Sequence, residues 1–220
     1  MGWWAGDLFQ QSPALFASWV FWVIFSIVMH ELAHGWAALW CGDDTPRVYG
    51  HMTWNPLVHM GWMSLLMFAV VGIAWGAMPV NPNNFRRRYD DAVVAAAGPA
   101  MNLVLFIGAC VLGSLWLAFG TSGTTFGDNL GLFFMVGAAV NMALMLLNLL
   151  PFPPLDGSKI VATFIPAYRN LIYSEQGPMF SLVGLAVVFF VLSAHIFTAA
   201  LKAAGFVIGV LSGLMGAGRP

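Results

Sequence analysis

His30-Glu31-Leu32-Ala33-His34 is the stretch of this chain whose residue types and spacing most directly permit covalent chemistry. Positions i and i+4 of an α-helix share a face, so His30 and His34 can aim two imidazole nitrogens at one metal ion. Glu31 falls on the neighbouring face, within reach of a water held at that ion, where it can act as a general base. Two histidine ligands with a glutamate base between them are what peptide hydrolysis at a zinc ion requires of an H-E-x-x-H helix. The chain has 5 histidines and two glutamates. At those frequencies the pattern is expected by chance on the order of 0.001 times. The competing reading is a pair of packed helix histidines. It must also accommodate a glutamate inside an apolar segment, where an ionisable residue is costly.

A catalytic zinc needs a third protein ligand and an open fourth position. The longer pattern with a third histidine on the same segment would need Gly at 37 and His at 40, where Ala37 and Trp40 stand. The only other glutamate, Glu175, lies in a polar loop. His51, His59, His195 and the aspartates remain. Asp156 is the best placed, because it follows a proline-broken apolar segment, and irregular backbone at membrane depth is tolerated where it lines a site. Its alternative role is an N-cap for a helix over Gly157–Phe164.

The elements that must position these residues are membrane spans. Of 220 residues, 60% are hydrophobic and 8% charged, against about 25% charged in soluble domains. At about 20 apolar residues per span, the chain holds about four to six transmembrane helices and no sizeable soluble domain. The fold expected is an all-α polytopic membrane protein, one membrane-embedded domain over 1–220 with its motifs within about 14–165. A net charge of −1 suggests no nucleic-acid partner. Cys41 and Cys110 lie in separate apolar segments outside any C-x-x-C pair and read as packing residues. Met1–Pro13 carries Asp7 and no Lys or Arg, unlike a signal peptide, so the first span is expected to stay in the mature protein.

The first span runs from about Ala14 to Trp40. Arg47–Trp54 roughly alternates and is expected to form a short β-hairpin. Gly61–Ala77 is only about 17 residues long, too short for a comfortable crossing, and reads as re-entrant. Further spans are expected over Ala92–Phe119 and Leu130–Leu150, with a turn at Gly120–Asp128 between them. After Pro151-Phe152-Pro153-Pro154 come a short helix to about Phe164 and a polar patch, Pro166–Pro178. The C-terminal helix or helices, about 179–216, are long enough for one span plus an interfacial or returning segment. With Gly61–Ala77 re-entrant, Arg47, Arg86, Arg87, Arg88, Lys159 and Arg169 all fall on one face, which the positive-inside rule makes cytoplasmic.

Taken together, these residues resemble the site-2 protease family of intramembrane zinc metalloproteases. The family pairs H-E-x-x-H in one span with an N-x-x-P-x-P-x-L-D-G-like element near the end of a later one. Here that element is Asn148-Leu149-Leu150-Pro151-Phe152-Pro153-Pro154-Leu155-Asp156-Gly157. A third feature, A-G-P-x-x-N, appears as Ala97-Gly98-Pro99-Ala100-Met101-Asn102. Asn55-Pro56 and Pro79-Val80-Asn81-Pro82 look like the small bacterial branch without a PDZ domain. The resemblance covers about residues 20 to 160.

It implies His30, His34 and Asp156 as ligands of one Zn2+, Glu31 as general base, and Asn148 near the substrate carbonyl or oxyanion. The alternative for Asn148 is an interhelical hydrogen bond. Asn102 reads as structural, with Gly98 and Pro99 marking close helix packing. His51, His59 and His195 read as interfacial or packed histidines. The implied partners are a transmembrane protein substrate and the lipid bilayer. The implied location is a bacterial inner membrane, with the active site toward the cytoplasm. The rivals are a metal transporter or sensor using the same histidines, and an inactive scaffold.

Overall fold

The computed structural model describes residues 3–121 and 123–216, and every regular element among them is helical. In chain order these are α1 (Trp4–Gln11), α2 (Pro13–Cys41), α3 (Thr45–Val48), α4 (Pro56–Val71), α5 (Asp90–Phe119), α6 (Thr125–Asn148), α7 (Asp156–Phe164) and α8 (Pro166–Ile172). The last, α9 (Gly177–Leu214), is one 38-residue helix that widens into a π turn at Val188–Leu192. Four of them, α2, α5, α6 and α9, are long and apolar enough to cross a membrane. Helix α9 therefore replaces the span and returning segment left open for 179–216.

Local chemistry sets the helix ends. Ser12 accepts from the Leu15 amide and Pro13 occupies the first turn of α2, while Gly42, at φ 102°, ends it in the left-handed conformation. Thr124 caps α6 by accepting from the Gly127 amide. The longest helices enclose a core of Trp22, Phe106, Cys110, Val136, Val140 and Ile208 with small residues between them. Gly137 lies flat against the Trp22 indole, so α2 and α6 approach closely there. In lipid no hydrophobic force draws helices together, and close contact of this kind supplies the association energy. Cys41 and Cys110 are both free and buried.

The expected β-hairpin is absent: the described residues contain no strand. Pro46 starts the short helix α3 instead, and the Tyr49 amide bonds back to the Thr45 carbonyl and the His51 amide to that of Pro46. Alternation across Arg47–Trp54 found no second strand to pair with. Local turns took up the backbone donors first.

The 56–81 region leaves α2 and returns to it. Asn55 caps α4, Gly61 breaks it with φ 66° and ψ 167°, and Gly72 ends it at φ 82°. The chain then runs back unwound beside α4, with Ser64 Oγ bonded to both the amide and the carbonyl of Trp75 and the Ala77 amide on the His59 carbonyl. It arrives where it left, the Asn81 amide donating to Asp43 (2.7 Å) and the Arg86 amide to the Cys41 carbonyl (3.2 Å). Tyr89 stacks on Phe164, so the end of α7 lies at the same level.

Asp43 ties this return together. It is fully buried and accepts from Thr45, Asn81 and Asn84. Burial alone would raise its carboxyl, but these hydrogen bonds outweigh it and hold the group below its ordinary value. A carboxyl depressed by folding contributes stability above its unfolded pKa, about 4, and loses it as pH falls through the folded value. Asp43→Ala should therefore cost about 1–3 kcal/mol near neutral pH. The gap to wild type should narrow below about pH 4, as read by unfolding in detergent across pH.

Candidate active site

Helix α2 carries His30, Glu31 and His34 into the protein interior, where each is less than a tenth exposed. The spacing does what an i, i+4 pair must, setting the two Nε2 atoms 3.0 Å apart. Asp156 reaches them from the start of α7, with Oδ2 at 3.0 Å from His30 Nε2 and 3.3 Å from His34 Nε2. It does not cap its helix: Leu155 holds that position, without a side-chain bond. Gly157 makes the approach possible, since a Cβ there would run into the carbonyl of Leu149. The proline-broken turn thus folds back against the end of α6 and projects the carboxylate sideways.

The outer nitrogens of the imidazoles are both committed. His34 Nδ1 donates to the Val94 carbonyl of α5 at 2.7 Å, and His30 Nδ1 to Asn102 Oδ1 at 2.6 Å. With the ring protons there, each Nε2 is free to turn a lone pair toward the other and toward the carboxylate. Three lone pairs about 3 Å apart repel one another unless a cation lies among them. Four ligands at about 2.0–2.1 Å around tetrahedral zinc stand about 3.3 Å apart. The observed separations of 3.0 to 3.3 Å fit that set. Among the described residues these three side chains form the group able to hold a metal ion.

Gly98 of α5 provides the space. A Cβ on it would strike the Nε2 atoms of both His30 and His34, so the A-G-P element seats the imidazoles themselves, beyond any role in helix packing. Pro99 beside it cannot donate to the carbonyl one turn back, which loosens α5 at this level. On the other side, the unwound return segment passes over Glu31. A Cβ on Gly76 would lie 2.6 Å from its Oε1.

The result is a cavity of about 260 Å³ lined by His30, Glu31, His34, Gly76, Asn148 and Asp156, with Asp91 and Lys159 also on its wall. Asn148 is half-buried there and donates one amide hydrogen to the Leu144 carbonyl within its own helix. His51 and His59 lie together, ring centroids 6.2 Å apart, with His59 bonded to the Thr53 carbonyl. His195 sits exposed on α9, bonded to the Val191 carbonyl. None of the three joins the metal group.

Comparisons with known proteins show the family of the chain. The sequence pattern of peptidase family M50 matches residues 118–192, which include Asn148 and Asp156. A Bacillus subtilis protein named "Putative zinc metalloprotease YwhC" is 39% identical over 148 residues, 66% of this chain and 67% of that protein. The chain belongs to peptidase family M50. Two mycobacterial relatives share the name "Putative zinc metalloprotease Rip2". The Mycolicibacterium smegmatis protein is 32% identical over 61% of this chain and 52% of its own length. The Mycobacterium tuberculosis protein is 29% identical over 86% of this chain and 73% of its own. No solved structure matches. As an M50 member the chain is a metalloprotease, and its two imidazoles and one carboxylate are a donor set fit for zinc.

Sequence reading did not single out Asn141 of α6, which is fully buried and bonded to Asn102, the residue it read as structural. A polar residue in the middle of a span was the available signal. Seven positions before Asn148, Asn141 also lies two helical turns away on the same side.

Gly98→Ala tests the seat of the imidazoles. The added methyl must displace both rings, so the purified variant should bind zinc about tenfold or more weakly while keeping its helical content. Titration against a chelating zinc indicator, with circular dichroism alongside, reads both.

Proposed function

We propose that this chain is an intramembrane zinc metalloprotease that hydrolyses a peptide bond within or next to a transmembrane segment of another protein. The observation carrying this reading is the convergence of His30, His34 and Asp156 beside Glu31, inside helices apolar enough to cross a bilayer.

In this reading His30, His34 and Asp156 hold the metal. Zinc bound there supplies Lewis-acid polarisation of a carbonyl and acidifies water. Glu31 takes the proton from the attacking water as its oxygen bonds to the scissile carbonyl carbon. It then delivers that proton to the amide nitrogen as the carbon–nitrogen bond breaks. Asn148, on the cavity wall with one amide hydrogen uncommitted by its bond to Leu144, donates to the oxygen that gains negative charge. Gly76 and its neighbours close the cavity over Glu31 and limit free water.

A helical substrate keeps its carbonyls in internal hydrogen bonds and must unwind before reaction. The extended chain leading to Ala77 and Met78 borders the cavity and offers such a segment a partner of like conformation, as an added strand. The placement of Arg47, Arg86, Arg87, Arg88, Lys159 and Arg169 supports a cavity mouth on the cytoplasmic side. Bacterial relatives support a bacterial inner membrane as the location, with residues 1–220 acting as one membrane-embedded unit.

Glu31→Gln should lower cleavage of a co-expressed single-span substrate by about 10²–10⁴-fold and leave the zinc content near one per chain. Retained cleavage would sink the role of Glu31. Metal passage surviving in the variant would favour a transporter or sensor instead. Asn148→Ala should cost about 10²–10³ in kcat with little change in KM.

A further inference from the structure

The direction of the hydrogen bonds running from α6 to α2 can be followed from one fixed point. The Gly137 carbonyl can only accept. Asn141 Nδ2 donates to it at 2.9 Å, so the other end of that amide, Oδ1, faces Asn102. Asn102 must then present its NH2 group, and Asn102 Nδ2 donates to Asn141 Oδ1 at 3.0 Å. That leaves Asn102 Oδ1, an acceptor, against His30 Nδ1 at 2.6 Å. His30 is therefore protonated on Nδ1 and offers a bare Nε2 to the cluster with His34 and Asp156. Both asparagines are fully buried, so no water competes for either amide.

We infer that Asn141 is a positioning residue of the metal centre, selecting the metal-binding tautomer of His30 through Asn102 from two helices away. A carboxylate beside a ligand histidine would accept from either of its oxygens. An amide accepts at one end only and needs a neighbour to choose which. Asn141, braced on the Gly137 carbonyl, makes that choice. Without it, Asn102 can rotate, put its NH2 group against Nδ1, and leave the His30 proton on the nitrogen that must be bare. His34 needs no such relay, because its partner is the Val94 carbonyl itself. The inference rests on His30 being a zinc ligand.

The test is zinc affinity of the purified full chain in detergent, by competition with a chelating indicator. Asn141→Leu removes the amide at similar volume, and Asn141→Ala removes it without added bulk. Both should bind zinc about 10–100-fold more weakly, with helical content unchanged. The deciding variant is the double substitution Asn102→Asp with Asn141→Leu. Its carboxylate accepts from His30 whichever way it turns, so zinc affinity should return to within about threefold of wild type. Single variants at 141 that bind zinc as wild type does would overturn the relay. So would a double variant no better than Asn141→Leu, since lost packing is not repaired by a charge at 102. His30→Ala is measured beside them. Unchanged zinc binding in that variant would overturn the ligand assignment, and the relay with it.

Discussion

Two imidazole nitrogens and a carboxylate oxygen face one another across about 3 Å in an apolar interior, an arrangement that a shared cation relieves. Much of the surrounding structure makes sense as the means of holding that arrangement. Each ring is fixed by a hydrogen bond that its outer nitrogen donates, one to a backbone carbonyl and one to a side-chain amide oxygen. The carboxylate comes from a different part of the chain, delivered by a turn too tight for any residue but glycine at 157. In water such a cluster would relax by rotation and hydration. Inside a bundle of spans it has neither escape.

Space for the cluster comes from missing side chains. Gly98 leaves room for both imidazoles, Gly76 lets the return segment lie on Glu31, and Gly137 lets α6 close on Trp22 of α2. The last of these has a second consequence. Close packing of α6 also sets Asn141, bonded within its own helix to the Gly137 carbonyl, against Asn102 of α5, which in turn meets His30.

The chemistry was legible in the sequence where it obeys local periodicity. His30 and His34 had to share a helix face, and the proline-broken span offered Asp156 with a helix cap as its alternative; Asp156 stands as the first residue of α7. The four helices apolar enough to cross a membrane were legible because length and hydropathy alone define them. Arginine placement favoured a re-entrant Gly61–Ala77, and in the structure the chain after it comes back onto Asp43 and Cys41. The β-hairpin failed because alternation specifies a strand only when a partner exists. Pro46 and the turn through His51 used those donors locally. Asn141 stayed hidden because its role depends on a distance between α5 and α6, and nothing in one-dimensional spacing encodes that.

The same reasoning separates the two kinds of support that the ligand histidines receive. Val94 offers His34 a carbonyl, which has no alternative orientation and which helix α5 supplies at almost no sequence cost. His30 is served by a side chain with two unlike ends, and its correct use depends on Asn141 and, behind it, Gly137. An amide pair in a low-dielectric interior is strong when every end is matched and costly when one is not. In the proposed metal site, that makes His30 the more conditional ligand. Its binding form is set by the mutual placement of α2, α5 and α6, whereas that of His34 is set by α2 and α5 alone. Any motion that slid α6 against its neighbours would reach the metal centre first through His30.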